Sequence, residues 1–340
     1  MARNLFLSRG RGWGHCIRDI EIASRISKKE HNNLVFASYG AGCQAFRAKK
    51  VECYELDCDD NGNIGNLLNQ YIRVISDVKP KKIIVDEEYL ILPIAKGLQI
   101  PCCYITNYLS EDPIEQSCID YSEMVLFAEY DDMIQGTSHQ VPIIPIGPVY
   151  QELQVDQIKP DSSGKNTVLV LVGGSTENKC RIANYDLVKR ILEAKIPGIT
   201  YRVVGEEIAA WIKRASSDIS IEWCQRDGDI HKLISGCCAA IVRGGINTMW
   251  EMAALGIPSL SIPYPMAVNK MEVHYAKTME KRGLVRCTIQ SEITPDTLKR
   301  ELEILLLPQQ KIETISNYEK YRHHQSAAVG ASVLEEWLST

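Results

Sequence analysis

With 340 residues, 45% of them hydrophobic, the chain is long enough to bury two cores, and two domains are expected. Its formal net charge of −5 argues against nucleic acid as a partner and against strong attraction to an anionic membrane. The 12 cysteines stand singly or as neighbours, without zinc-site or disulfide-framework spacing, and with no signal-like leader and no apolar stretch approaching a transmembrane segment they indicate a cytoplasmic, reducing location.

Asn4–Ser8 reads as a first strand, and RGRGWGH follows at once. Gly10, Gly12 and Gly14 precede a helix that carries Ile17, Ile20, Ala23 and Ile26 on one face. His15 stands at the start of this helix, whose N-terminus favours a neutral imidazole. Arg9, Arg11 and Arg18 lie close by in sequence and predict an electropositive pocket suited to an anionic substrate. On its own, a histidine at such a turn is more often structural than catalytic.

Further strands are predicted at Leu34–Ser38, at 82–86, at 100–106 and at 124–128, alternating with helical stretches. This rhythm is that of a parallel, doubly wound α/β sheet. Ligands of such sheets sit at the carboxyl ends of the strands, where His15, Asp86, Glu87, Thr106 and Asn107 all fall. Asp86 is a carboxylate able to orient His15, but no spacing rule ties the two, and a solvated loop acid is the reading the sequence favours.

Residues 141–150 read as the last strand of a first domain, and the polar stretch after them as a linker, which puts the boundary near 155. The predicted organisation is a first Rossmann-like domain over 1–155, a second over 156–317, and a C-terminal helical segment over 318–340. A strongly β run at 167–172 restarts the pattern and ends in the turn Gly173, Gly174, Ser175. Strands follow at 201–204 and 219–223.

The most informative stretch is 239–263, AAIVRGGINTMWEMAALGIPSLSIP, a strand, a turn, a helix and a second strand. Gly244 and Gly245 let backbone approach a ligand closely, Asn247 or Thr248 is placed to cap the helix, and the unpaired N–H groups of its first turn attract an anion. Glu251, four residues after Asn247, shares its face and suits a pair of sugar hydroxyls better than a phosphate.

Gly244, Gly245, Asn247, Thr248, Glu251, Gly256, Pro258 and Pro263, at their fixed spacing, resemble the donor-binding signature of nucleotide-sugar glycosyltransferases of the GT-B fold, in particular the MurG-like and UDP-glycosyltransferase families. The resemblance implies two doubly wound Rossmann-like domains facing across a cleft, with the acceptor on the first and the nucleotide sugar on the second. It implies that Gly244, Gly245 and Thr248 hold the donor diphosphate, that Glu251 binds ribose hydroxyls, and that Arg243 takes the place of a basic diphosphate contact. The Gly173, Gly174, Ser175 turn is similar to the one that faces the diphosphate in MurG-like enzymes. The loop after Trp223 corresponds to one that lies against the nucleobase through backbone groups. GxGHxxR, Gly12 to Arg18, resembles the acceptor-side loop of these enzymes, which makes Gly14 a binding residue and His15 the general base. The same motif is similar to that of a nucleotide-sugar hydrolase of pseudaminic acid biosynthesis, so transfer and hydrolysis both stay open.

The pattern departs from the family at Met271 and Glu272, where UDP-glycosyltransferases carry Asp-Gln, and Glu272 takes the place of the donor-sugar contact. The activity so implied is inverting, metal-independent transfer of a hexosyl or N-acetylhexosaminyl group from a UDP or dTDP sugar to an acceptor hydroxyl. The nucleotide sugar is substrate, and no cofactor or metal is called for. The acceptor is a small molecule, a glycan or a lipid-linked species, and a homodimer is an allowed assembly. A non-catalytic nucleotide-sugar sensor is the third reading.

Overall fold

The computed structural model describes residues 3–58, 63–134, 139–151, 166–172, 178–204, 220–224, 230–264, 270–321 and 326–340. The chain divides into two compact units, Met1–Gln151 together with His324–Thr340, and Glu152–His323.

The first unit is built on seven parallel strands, β1 (Asn4–Ser8), β2 (Leu34–Ser38), β3 (Cys53–Glu55), β4 (Ile83–Asp86), β5 (Cys102–Thr106), β6 (Met124–Phe127) and β7 (Ile143–Pro145). Their spatial order is β3-β2-β1-β4-β5-β6-β7. The central strands are buried over their whole length, which is why they read as unbroken apolar runs rather than as alternating ones. The order reverses between β1 and β4, whose register sets Ser8 opposite Asp86. Such a reversal opens a crevice at the carboxyl ends of these two strands.

The first helix, Trp13–Ala23, leaves β1 through that crevice. Gly10 permits it: a Cβ there would lie 2.2 Å from the Tyr39 carbonyl oxygen, closer than any side chain tolerates. The C-terminal segment expected over 318–340 falls to two helices, one ending at Glu319 and another running Ser326–Ser339. The latter completes the core of the first unit with Ala327, Ala331, Leu334 and Trp337, packed among Ile22, Ile84, Ile105 and Ile146. Trp337 also donates its indole N–H to Glu123 Oε2 at 2.8 Å and lies under the Lys82 ammonium, 5.0 Å from the ring centre.

The second unit repeats the design on six parallel strands, β8 (Asn166–Leu171), β9 (Ile199–Val204), β10 (Ser220–Cys224), β11 (Cys237–Val242), β12 (Ser259–Ser261) and β13 (Arg286–Cys287), in the order β10-β9-β8-β11-β12-β13. The helix Ile246–Ala254 connects β11 to β12. Val168, Val170, Tyr201, Ile241 and Leu260 line the main core on one face of the sheet. Among the described residues no helix is long and apolar enough to cross a membrane.

Replacing Trp337 by Ala should destabilise the first unit by about 3–5 kcal/mol, through the cavity and the lost indole contacts. Urea unfolding followed by a probe in the first unit checks this, with a lower midpoint as the expected outcome.

Candidate functional site

In the first unit the chemistry collects where β1 and β4 end. Gly12, in an extended conformation, precedes the helix Trp13–Ala23, so Gly14 and His15 occupy its first turn. Gly14 is exposed and His15 half-buried. The His15 Nδ1 lies 2.7 Å from Asp86 Oδ1, a charge-assisted hydrogen bond that fixes the tautomer and leaves Nε2 as the basic nitrogen. Asp86 is thus the partner that sequence spacing did not supply. The signal was the strand order, which in a sheet of this type sets the end of β4 beside the end of β1.

Arg18, one turn along the helix from His15 and buried, grips the same carboxylate with two parallel bonds, Nε to Oδ2 at 2.8 Å and Nη2 to Oδ1 at 2.7 Å. Burial alone would raise the pKa of Asp86, but Arg18 and His15 outweigh it and hold the carboxyl well below its usual range. Glu87 continues the network. Its Oε1 lies 3.3 Å from Arg18 Nη2, and its Oε2 accepts from Arg9 Nη1 at 3.2 Å. With its amide turned to suit its neighbours, Asn107 donates to Glu87 Oε1 at 3.1 Å and accepts from Arg18 Nη1 at 3.3 Å. Burial again opposes ionisation, yet His15 and Arg18 keep Glu87 charged.

This accounting corrects the electropositive pocket expected from sequence. Arg18 and Arg9 are neutralised by Asp86 and Glu87, so the histidine edge offers no excess positive charge from these two residues to an anionic acceptor. His15, Asp86 and Glu87 also present ligand atoms within 4.8 Å of one another, a set able to hold a metal ion.

Behind Asp86 lies Asp19, fully buried, which accepts from the Ser8 hydroxyl on Oδ2. No donor reaches its Oδ1 among the described residues. Burial first, and the Asp86 charge second, push the Asp19 carboxyl well above the usual range.

In the second unit the sequence signature is placed at the end of β11. Gly245, not Asn247 or Thr248, is the N-cap of the helix Ile246–Ala254, and no side chain caps it. Asn247 and Thr248 therefore fall inside the first turn, both half-buried, and Glu251 is buried one turn further on. Gly244 is buried because a neighbouring helix crowds it: a Cβ would lie 2.8 Å from Glu272 Cβ and 3.1 Å from Pro263 Cβ. Glu272 itself accepts the Tyr264 backbone N–H at 3.2 Å, which ties the loop after β12 to the helix Lys270–Lys281.

Arg243, expected as a diphosphate contact, stands at the end of β11 and is held there by its neighbours. It is buried, with Nε on Asn184 Oδ1 at 3.0 Å and Nη1 on Gln290 Oε1 at 2.6 Å and the Ile262 carbonyl at 3.2 Å. These bonds make it a strut under the glycine turn. Gly173, Gly174 and Ser175 lie outside the described residues, as do 225–229 of the loop after Trp223.

Residues 167–330 match the glycosyltransferase family 28 C-terminal domain. The match spans most of the second unit and runs into the last helix. Over 112 residues, 33% of this chain, the sequence is 30% identical to a UDP-N-acetylglucosamine–N-acetylmuramyl-(pentapeptide) pyrophosphoryl-undecaprenol N-acetylglucosamine transferase of Caldicellulosiruptor saccharolyticus, covering 30% of that protein. Over 169 residues it is 27% identical to the enzyme of the same description from Oenococcus oeni, covering 48% of this chain and 44% of that one. The alignments thus span less than half the length of these curated relatives. The fold is similar throughout to Acinetobacter baumannii MurG, with a TM-score of 0.64 at 16% identity over 98% of this chain and 99% of that one. It is likewise similar to the spinosyn rhamnosyltransferase SpnG, with a TM-score of 0.69 at 14% identity over 98% and 100% of the two chains. These likenesses establish the GT-B fold for the two units.

Two outcomes test this geometry. Asp19 keeps its proton in the folded chain and loses it on unfolding, so its contribution is fully present below the ordinary carboxylate range and declines as pH rises. Relative to Asp19→Asn, the wild type should lose about 1.4 kcal/mol per pH unit above that range, until the folded carboxyl itself titrates. Urea midpoints of the two proteins across that interval measure the slope. Gly244→Ala should cost the second unit about 1–3 kcal/mol by overpacking against Glu272, read in the same way.

Proposed function

We propose that the chain is a metal-independent, inverting glycosyltransferase that moves a hexosyl-type sugar from a nucleoside-diphosphate sugar, of the UDP or dTDP type, to an acceptor hydroxyl. The observation that carries this reading is the 2.7 Å bond between His15 Nδ1 and Asp86, in a chain whose residues 167–330 match the glycosyltransferase family 28 C-terminal domain. A histidine whose Nδ1–H is held by an ionised carboxylate has its lone pair on Nε2, here at the half-exposed edge, where it can take a hydroxyl proton.

The step follows. His15 Nε2 removes the proton of the acceptor hydroxyl, and the oxygen attacks the anomeric carbon. The bond from that carbon to the diphosphate oxygen breaks, and its electron pair leaves with the nucleoside diphosphate. One displacement inverts the anomeric carbon. In the second unit the Gly244–Gly245 turn and the N–H groups at the start of the helix Ile246–Ala254, which carry partial positive charge, suit a diphosphate. Arg243 serves this turn by bracing it from below, and Glu272 by holding the loop after β12 to the helix Lys270–Lys281. Relatives described as N-acetylglucosamine transferases, and a SpnG structure described as complexed with thymidine diphosphate, support a nucleotide sugar as donor.

Metal independence is supported by Arg18, whose nitrogens already lie 2.7–3.3 Å from the Asp86 and Glu87 oxygens and supply the positive charge a cation would bring to the histidine cluster.

The test uses a panel of UDP and dTDP sugars, with and without acceptors, and reads nucleotide release. His15→Ala should lower turnover by about 10²–10⁴-fold while leaving nucleoside diphosphate affinity, measured by calorimetry, unchanged. Turnover by the variant at the wild-type rate, or a requirement for added divalent cation, would overturn the proposal.

A further inference from the structure

Glu87 is the one member of the His15 cluster for which general-base catalysis has no need. It also sits in the left-handed backbone region, at a φ of 53°, directly after β4. For a non-glycine residue that conformation is unfavourable and persists only where the surroundings enforce it. Here they do: the Glu87 amide donates to the Ile105 carbonyl at 3.1 Å, and Arg18, Asn107 and Arg9 hold the carboxylate.

The result is a carboxylate whose Oε2 lies 3.8 Å from His15 Nε2. That separation is too long for a hydrogen bond between them. In the tautomer set by Asp86 both atoms are acceptors, so neither serves the other; Nε2 takes one donor from outside, and Oε2, which already accepts from Arg9, has a second lone pair for another. A single oxygen serving both through bonds of about 2.8 Å would see them at an angle of about 85°, compressed well below the tetrahedral value. Two neighbouring hydroxyls fit better. Their oxygens stand slightly closer together than the two protein atoms, so one hydroxyl reaches each acceptor along nearly parallel bonds.

We infer that the acceptor presents a vicinal diol, with the attacked hydroxyl on His15 Nε2 and its neighbour on Glu87 Oε2. This inference rests on the base role of His15 and specifies the acceptor class of that site: a polyol or sugar hydroxyl pair. In the displacement, the proton of the attacked hydroxyl moves to Nε2 while the neighbouring hydroxyl keeps its own and stays bound to the carboxylate. Glu87 orients the acceptor and takes no proton.

The experiment uses the full chain with whichever UDP or dTDP sugar the panel identifies as donor, and acceptors in pairs that differ by one hydroxyl: methyl glycosides with their mono-deoxy counterparts, and trans-cyclohexane-1,2-diol with cyclohexanol. The diol member of each pair should be preferred by roughly 10- to 100-fold in kcat/KM, the worth of one hydrogen bond to a charged group. Glu87→Gln and Glu87→Asn should each reduce that preference to within a factor of about two, while nucleotide affinity stays unchanged. Asn tolerates the left-handed backbone, so it separates loss of the carboxylate from misfolding. Equal rates with diol and monohydric alcohol, or a preference that survives in both variants, would overturn the inference. So would rapid nucleotide release into water that added diols do not accelerate. Turnover that survives His15→Ala would instead sink the base assignment itself, which distinguishes the two failures.

Discussion

The buried bond between Arg18 and Asp86 governs the first unit. Two charges taken out of water cost several kcal/mol each, and only a well-aligned, fully bonded partner offsets this. Both guanidinium contacts to Asp86 are close and parallel, so the first helix and β4 are locked together at one rotation and one height. His15 sits one turn before Arg18 on that helix. Its imidazole reaches Asp86 because Arg18 has already set the distance. Asp86 stays ionised for the same reason, and an ionised Asp86 is what a histidine base needs. Orientation, charge and burial at this point are consequences of one pair.

A related device stands under the glycine turn of the second unit. Arg243 is buried at the end of β11 and joins Asn184, Ile262 and Gln290, and Gln290 in turn donates to Asp186 and to the Ala183 carbonyl. The helix Asn178–Glu193, the loop after β12 and the loop after β13 thus converge on one side chain. In both units an arginine organises a strand end whose neighbours carry the chemistry. In the first unit its partners are carboxylates that set charge, and in the second they are neutral groups that set only shape.

The fold was legible in the sequence wherever apolar runs ended at glycine, because buried parallel strands and tight turns leave that mark. β1, β2, β8 and β11 lie where predicted to within two residues. Cys53–Glu55 and Arg286–Cys287 escaped notice, since edge strands of three and two residues have no periodicity to detect. His15 was legible through its glycine-flanked motif. Its carboxylate was not, because 71 residues separate His15 from Asp86 and only the order of strands brings them together. The arginines misled for a related reason. A basic residue near a loop looks available in sequence, whereas Arg18 and Arg243 are taken up by acceptors distant in the chain, and Arg9 by Glu87. The capping residue was misplaced by two or three positions, since glycine at an N-cap leaves no side-chain signature.

The placement of the last helix has a bearing on how the protein is made. The first unit is discontinuous, with its core closed by residues after His324, while the second unit is a continuous insert. As the chain emerges from the ribosome, the first seven strands are present long before the helix that covers Ile84 and Ile105 exists. The second unit, by contrast, can fold as soon as its own residues are out. The order of synthesis therefore runs against the usual N-terminal-first maturation of domains. The early sheet must stay soluble with part of its apolar face uncovered until the helix Ser326–Ser339 has emerged.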